Sequence, residues 1–184
     1  MPGRGPFPFN THPHDNPGRP GKRRRLPNPK GTMADYYTKF SLVVRLPDLS
    51  AQEYALELAR QARCAHLGDG LPAGFPAALA DLPEEWSFST EPDHSTGEPG
   101  VWLHSEEGGV EAACAFIQHL LGHFGLAEPV SFAWSHDCSK PRTDAYGGGA
   151  ALITARELKT IDTGAWLARQ TAPLADPARR GRHR

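Results

Sequence analysis

Apolar Phe40, Leu42, Val44 and Leu46 alternate with Ser41 and Arg45, the period of two that a strand with one buried face requires. Pro47 ends that strand. Ser50 followed by Glu53 forms a capping box, with Leu49 and Tyr54 at the two positions of a hydrophobic staple, so the pattern predicts a helix from Ser50. Its inner face runs through Tyr54, Ala55, Leu58, Ala62 and Ala65, its outer face carries Glu53, Glu57, Arg60 and Arg63, and Gly68 supplies the stop. Residues 68–85 are rich in Gly, Pro and Ala and read as a long connection with one short helical turn at 76–81.

Two strands at 86–91 and 101–106 flank the turn-forming stretch 92–100, which predicts a hairpin. The clearest helical period follows. Val110, Ala113, Cys114, Ile117, Leu120, Leu121 and Phe124 share one face, and Gly125 ends it. Val130, Phe132 and Trp134 mark a strand over 130–135, a further strand at 150–154 pairs with it across the loop 136–149, and 163–170 reads as a short helix around Trp166 and Leu167. The order is β-α-β-β-α-β with one extra strand. It predicts an α+β domain of ferredoxin-like split βαβ topology, with two helices on one face of an antiparallel sheet.

Composition adds boundaries to this picture. A chain of 184 residues suits one hydrophobic core, yet 18 prolines and 19 glycines with a mean hydropathy of -0.51 imply some non-globular sequence. The first 32 residues are largely Pro, Gly, Arg and Asn and are expected to be a disordered basic tail, as are residues 171–184, which leaves a single domain at 33–170. Met33 falls where the globular pattern begins and is the expected natural start; a genuine basic arm is the alternative.

Charge separates along the same lines. Seven basic groups against Asp15 give residues 1–32 a net +6, and four arginines against Asp176 give residues 171–184 a net +3. Residues 33–170 then hold 9 basic and 19 acidic groups, a net of -10. No apolar run is long enough to cross a bilayer and the N-terminus does not read as a secretory signal, so a cytoplasmic protein without membrane contact is expected. Cys64, Cys114 and Cys138 show no paired spacing and are read as free thiols.

Candidate chemistry is concentrated between the last two predicted strands. Trp134, His136, Cys138, Ser139, Lys140 and Arg142, followed by Tyr146, Gly147, Gly148 and Gly149, bring polar and special-geometry residues into one segment. The tryptophan, the Cys-Ser-Lys-Pro-Arg run and the aromatic before Gly-Gly-Gly-Ala resemble a motif of small uncharacterised proteins encoded in bacterial, plasmid and phage genomes. Tyr36-Tyr37 matches an aromatic pair often found near their N-termini. That resemblance spans residues 33 to about 168 and implies no activity.

Three chemistries are conceivable from these residues. Gly147, Gly148 and Gly149 with Lys140 and Arg142 could form an anion-binding nest, or the glycines could simply bend a strand at its start. Cys138 beside His136 and Asp137 invites a nucleophile, but neighbours on a strand point to opposite faces. His119 and His123 stand four apart on a helix and could hold two corners of a zinc site, for which no CxxC or HExxH pattern supplies the rest. No catalytic residue, metal or cofactor is therefore assigned. The four tryptophans read as packing residues, with Trp102 alternating onto the face opposite Val101 and Leu103.

The acidic balance and the absence of a convergent acid–base group favour a non-catalytic interaction protein with a protein partner, an encoding mobile element being compatible with the resemblance. A small ligand-binding or anion-binding domain, or an enzyme, centred on 138–149 is the next reading. Nucleic-acid binding through the basic tails comes last, because an acidic domain repels phosphate.

Overall fold

The computed structural model describes residues 34–175 apart from Pro141 and Asp144. The chain divides between Met33 and Ala34. The tail expected at 1–32, Met33, and the part of the C-terminal tail beyond Ala175 lie outside the described residues.

Alternation along the first strand, β1 (Tyr36–Arg45), sends Phe40, Leu42 and Val44 to one side and Ser41 and Arg45 to the other. Its apolar residues are matched by like residues on the strand to one side. β1 pairs with β3 (Gly100–Ser105), Leu42 opposite Leu103 and Val44 opposite Val101, and with β4 (Val130–Cys138), Thr38 opposite His136. β2 (Ser89–Pro92) lies outside β3, and β5 (Gly147–Ile153) and β6 (Leu158–Asp162) follow β4. The six-stranded sheet has the order β2-β3-β1-β4-β5-β6 with every pairing antiparallel. With helices α1 (Leu49–His66), α2 (Val110–His123) and α3 (Thr163–Ala175), this is an α+β fold.

Helices α1 and α2 supply Ala55, Leu58, Ala62, Ile117, Leu120 and Leu121 to the core that the sheet lines with Phe40, Val44, Val101, Leu103, Phe132 and Ile153. Aromatic rings link the layers: Phe40 meets Phe132 at 5.4 Å, Trp86 stacks on Phe88 at 4.7 Å, and Trp86 meets Phe116 edge-on at 5.3 Å. The tilted Phe40–Phe132 and edge-on Trp86–Phe116 contacts suit the ring quadrupole better than face-to-face stacking. Among the described residues, no helix is long and apolar enough to cross a membrane.

Several boundaries differ from the sequence pattern. Helix α1 begins at Leu49, one residue before the predicted Ser50, because the Asp48 carboxylate accepts from the Ala51 amide at 2.8 Å and caps the first turn. Asp48→Ala is accordingly expected to cost about 1 kcal/mol in urea unfolding, and Ser50→Ala no more than a few tenths. Equal effects would return the cap to Ser50. The strand predicted at 86–91 starts only at Ser89, since residues 83–85 form a 3₁₀ turn that Pro83 opens, and Trp86 turns inward at its end.

β4 runs on to Cys138 and β5 starts at Gly147, so the predicted loop 136–149 is shorter than expected. β6 was not anticipated: its side chains are all exposed, and a strand without a buried face leaves no alternation to read. Thr154 closes the β5–β6 turn by accepting from Glu157 N at 2.9 Å. Helix α3 continues through Ala175, so the boundary expected at residue 170 falls inside it.

Candidate functional site

The helix-facing side of the sheet is wider than the two core helices. Beyond α2 the chain leaves a groove of about 890 Å³, floored by β4 and β6 and walled by α2 and the 85–87 and 108–109 segments. Trp134 and His136 reach it because they share the inward parity of β4 with Phe132. Thr38 lies opposite His136 on β1, and Asp162 ends β6. Glu85, Glu111 and Asp162 line the groove, while no Lys or Arg does so among the described residues.

At its centre His136 Nδ1 is 3.0 Å from Thr38 Oγ1, a hydrogen bond whose direction follows the imidazole tautomer. His136 Nε2 is 3.9 Å from Asp162 Oδ2. That gap is too long for a hydrogen bond, so hydroxyl, imidazole and carboxylate do not form a proton relay. Asp162 spends its other oxygen on capping α3, accepting from Ala165 N at 2.7 Å. Cys114 also borders the groove, where burial, with the Glu111 carboxylate adding to it, pushes its thiol up to about 11 and disfavours the thiolate.

The segment singled out from sequence is split by the fold. Trp134 and His136 face the groove. Cys138 is buried at the end of β4 opposite Tyr36, and Asp137 on the other face holds Lys39 at 3.1 Å, with its carboxyl kept below the ordinary range chiefly by the Cys138 amide and then by Lys39. Ser139 joins the start of β1, its hydroxyl accepting from Asp35 N and its amide donating to Asp35 O, both at 2.9 Å. Lys140 is half-buried and Tyr146 exposed, and Arg142 places its guanidinium 5.9 Å from the Tyr36 ring centre.

The three glycines belong to the sheet. Gly147, Gly148 and Gly149 pair with His136, Ser135 and Trp134 respectively. Gly148 has φ +152, a conformation L side chains rarely adopt, and a Cβ there would strike the Trp134 carbonyl. A Cβ on Gly149 would strike the Trp134 indole and the Ile161 carbonyl oxygen. The Gly148 amide donates to Thr163 Oγ1 at 3.0 Å, at the start of α3. These glycines let an indole lie flat across a neighbouring strand.

No family model, curated protein or solved structure matches the chain. The functional reading therefore rests on geometry. His119 and His123 lie 5.6 Å apart between ring centres and both engage Tyr54: Tyr54 Oη is 2.9 Å from His119 Nε2 and the Tyr54 ring stacks on His123 at 4.4 Å. Burial, followed by the nearby His123, lowers the His119 pKa. No group of three potential metal ligands occurs among the described residues.

On the opposite face of the sheet, Trp102 is partly exposed, stacks on His104 at 4.0 Å and donates from Nε1 to Ser41 Oγ at 2.9 Å. The groove itself was not legible from sequence. Glu85, Glu111 and Asp162 lie on a turn, a helix and a strand far apart in the chain, and only the β4-β5-β6 extension brings them together. The parity shared by Trp134 and His136 was the one local signal.

Proposed function

We propose that the domain is a non-catalytic interaction module that takes a cationic segment of a partner protein into the groove beside α2. One observation carries the reading: the groove combines three carboxylates with an indole wall and has no Lys or Arg among its described lining residues. Such a lining suits Lys or Arg, whose charged head the carboxylates attract and whose stem or guanidinium packs on Trp134. The net -10 of residues 33–170 adds long-range attraction for a basic surface and repulsion of nucleic acid. A cytoplasmic setting belongs to the same proposal and is supported by three free cysteines.

A ferredoxin-like core fits this reading. Its support is that β3 lies between β1 and β2 while α1 makes the connection between them, with β5 and β6 added beyond β4. That addition creates the groove floor.

The test uses an Arg/Gly-rich peptide as a defined probe. Glu85→Gln/Glu111→Gln, two exposed positions, is expected to weaken its binding about tenfold at low ionic strength, with the difference fading as salt shortens the screening length. The native chain failing to bind the peptide, or the double variant binding it equally well, would remove the groove from the function.

A further inference from the structure

We infer that β6 and α3 form a self-association surface, through which two copies of this chain join their sheets edge to edge into one antiparallel sheet. β6 is a terminal strand of the sheet, so among the described residues one side of its backbone is left without a strand partner. An edge of that kind is a template for another strand. α3 follows directly, and every described side chain from Ala155 to Leu174 is exposed. Leu158, Ile161, Trp166, Leu167 and Leu174 in this stretch are between 42% and 73% exposed.

The helix is the stronger clue. A helix of 13 residues with Pro173 inside it is marginal in water without an apolar face packed against something, since isolated helices shorter than about 12–15 residues hardly hold. Among the described elements, the principal contacts of α3 are with β5 and β6. Its stability calls for a partner.

A second copy fits better than a foreign partner because the edge is complementary to itself. With Thr160 opposite Thr160 across a two-fold axis, all five residues of β6 pair, Lys159 falls opposite Ile161, and Leu158 falls opposite Asp162. No like charges face each other. Because Asp162 ends β6, each α3 then departs beside the other copy's β5–β6 turn, which brings Trp166 and Leu167 towards the second chain.

The area is adequate. The five apolar side chains expose on the order of 500 Å² per copy, the upper end of the largest patches on monomers. The strand edge and the rest of α3 bring the surface near the ~800 Å² per partner of a stable dimer. Edge pairing lies in the plane of the sheet and the groove above it, with Leu158, Thr160 and Asp162 bordering both.

Sedimentation equilibrium of the full chain at micromolar concentration is expected to give a dimer. Trp166→Glu/Leu167→Glu is expected to give a monomer that keeps the α+β circular-dichroism spectrum. Under mild oxidation Thr160→Cys is expected to form an interchain disulfide, because paired Cα atoms about 4.5–5.5 Å apart suit that bond. Ile161→Cys, which faces Lys159 instead, is expected to show only the parent protein's background. A native chain that sediments as a monomer, a double variant that remains dimeric, or cross-linking no stronger at residue 160 than at 161 would overturn the inference.

Discussion

Replacing Gly149 by alanine is expected to lower the melting temperature by about 10 °C, the equivalent of roughly 3 kcal/mol in a domain of this size. The cost comes from two rigid neighbours. A Cβ at this position would be 2.6 Å from Trp134 Cε2 and closer still to Trp134 Cζ2 and the Ile161 carbonyl oxygen. One of those atoms is backbone of the adjacent strand and the others belong to a ring held between strands, so neither side can yield cheaply. Either Trp134 leaves its place or β5 separates from β6.

The same substitution in a Trp134→Leu background separates these two sources. Removing the indole relieves its clash and leaves that with Ile161, so the added cost of Gly149→Ala is expected to fall by about half, a coupling that a double-mutant cycle reads directly. Gly149→Ala melting with the parent protein would show that the indole does not cross β5. Because Trp134 also walls the groove, the variant is further expected to bind a cationic peptide more weakly. That loss would persist at temperatures where the fold is intact.

These two residues also show what a sequence can and cannot disclose. Trp134 and the glycine run stood out as unusual residue types, and an anion-binding nest and a simple strand bend were both open readings. Their pairing, Trp134 opposite Gly149, depends on the register between β4 and β5, which no single segment encodes. β1 and α2 were legible because each buries one face and repeats its apolar residues at the period of its own geometry. β6 and the far end of α3 bury nothing within this chain. They left no periodic trace, and the groove that β6 helps to floor was hidden with it. Asp48 was missed for a different reason: Ser50 and Glu53 also satisfy a capping pattern, and only the 2.8 Å contact to Ala51 decides between them.

Phe116→Ala is expected to destabilise the domain by about 3–5 kcal/mol in urea unfolding, the range for removing a fully buried aromatic ring. Phe116 lies off the apolar stripe traced through Val110, Ile117 and Phe124, yet it is 0% exposed. The flank of α2 that a two-layer picture leaves to solvent is covered by the 83–85 turn, which directs Trp86 inward, edge-on to Phe116 at 5.3 Å and stacked on Phe88 at 4.7 Å. A large cost at residue 116 therefore reports a third packing element between helix and sheet. Trp86→Ala should cost a similar amount, and the two together less than their sum, because each single change already removes the Trp86–Phe116 contact. Phe124→Ala supplies the contrast: only partly buried and edge-on to Tyr54 at 5.5 Å, it should cost about half as much or less. Phe116→Ala costing no more than Phe124→Ala would mean that the turn carrying Trp86 does not close over α2, and that this flank of the helix is open to water.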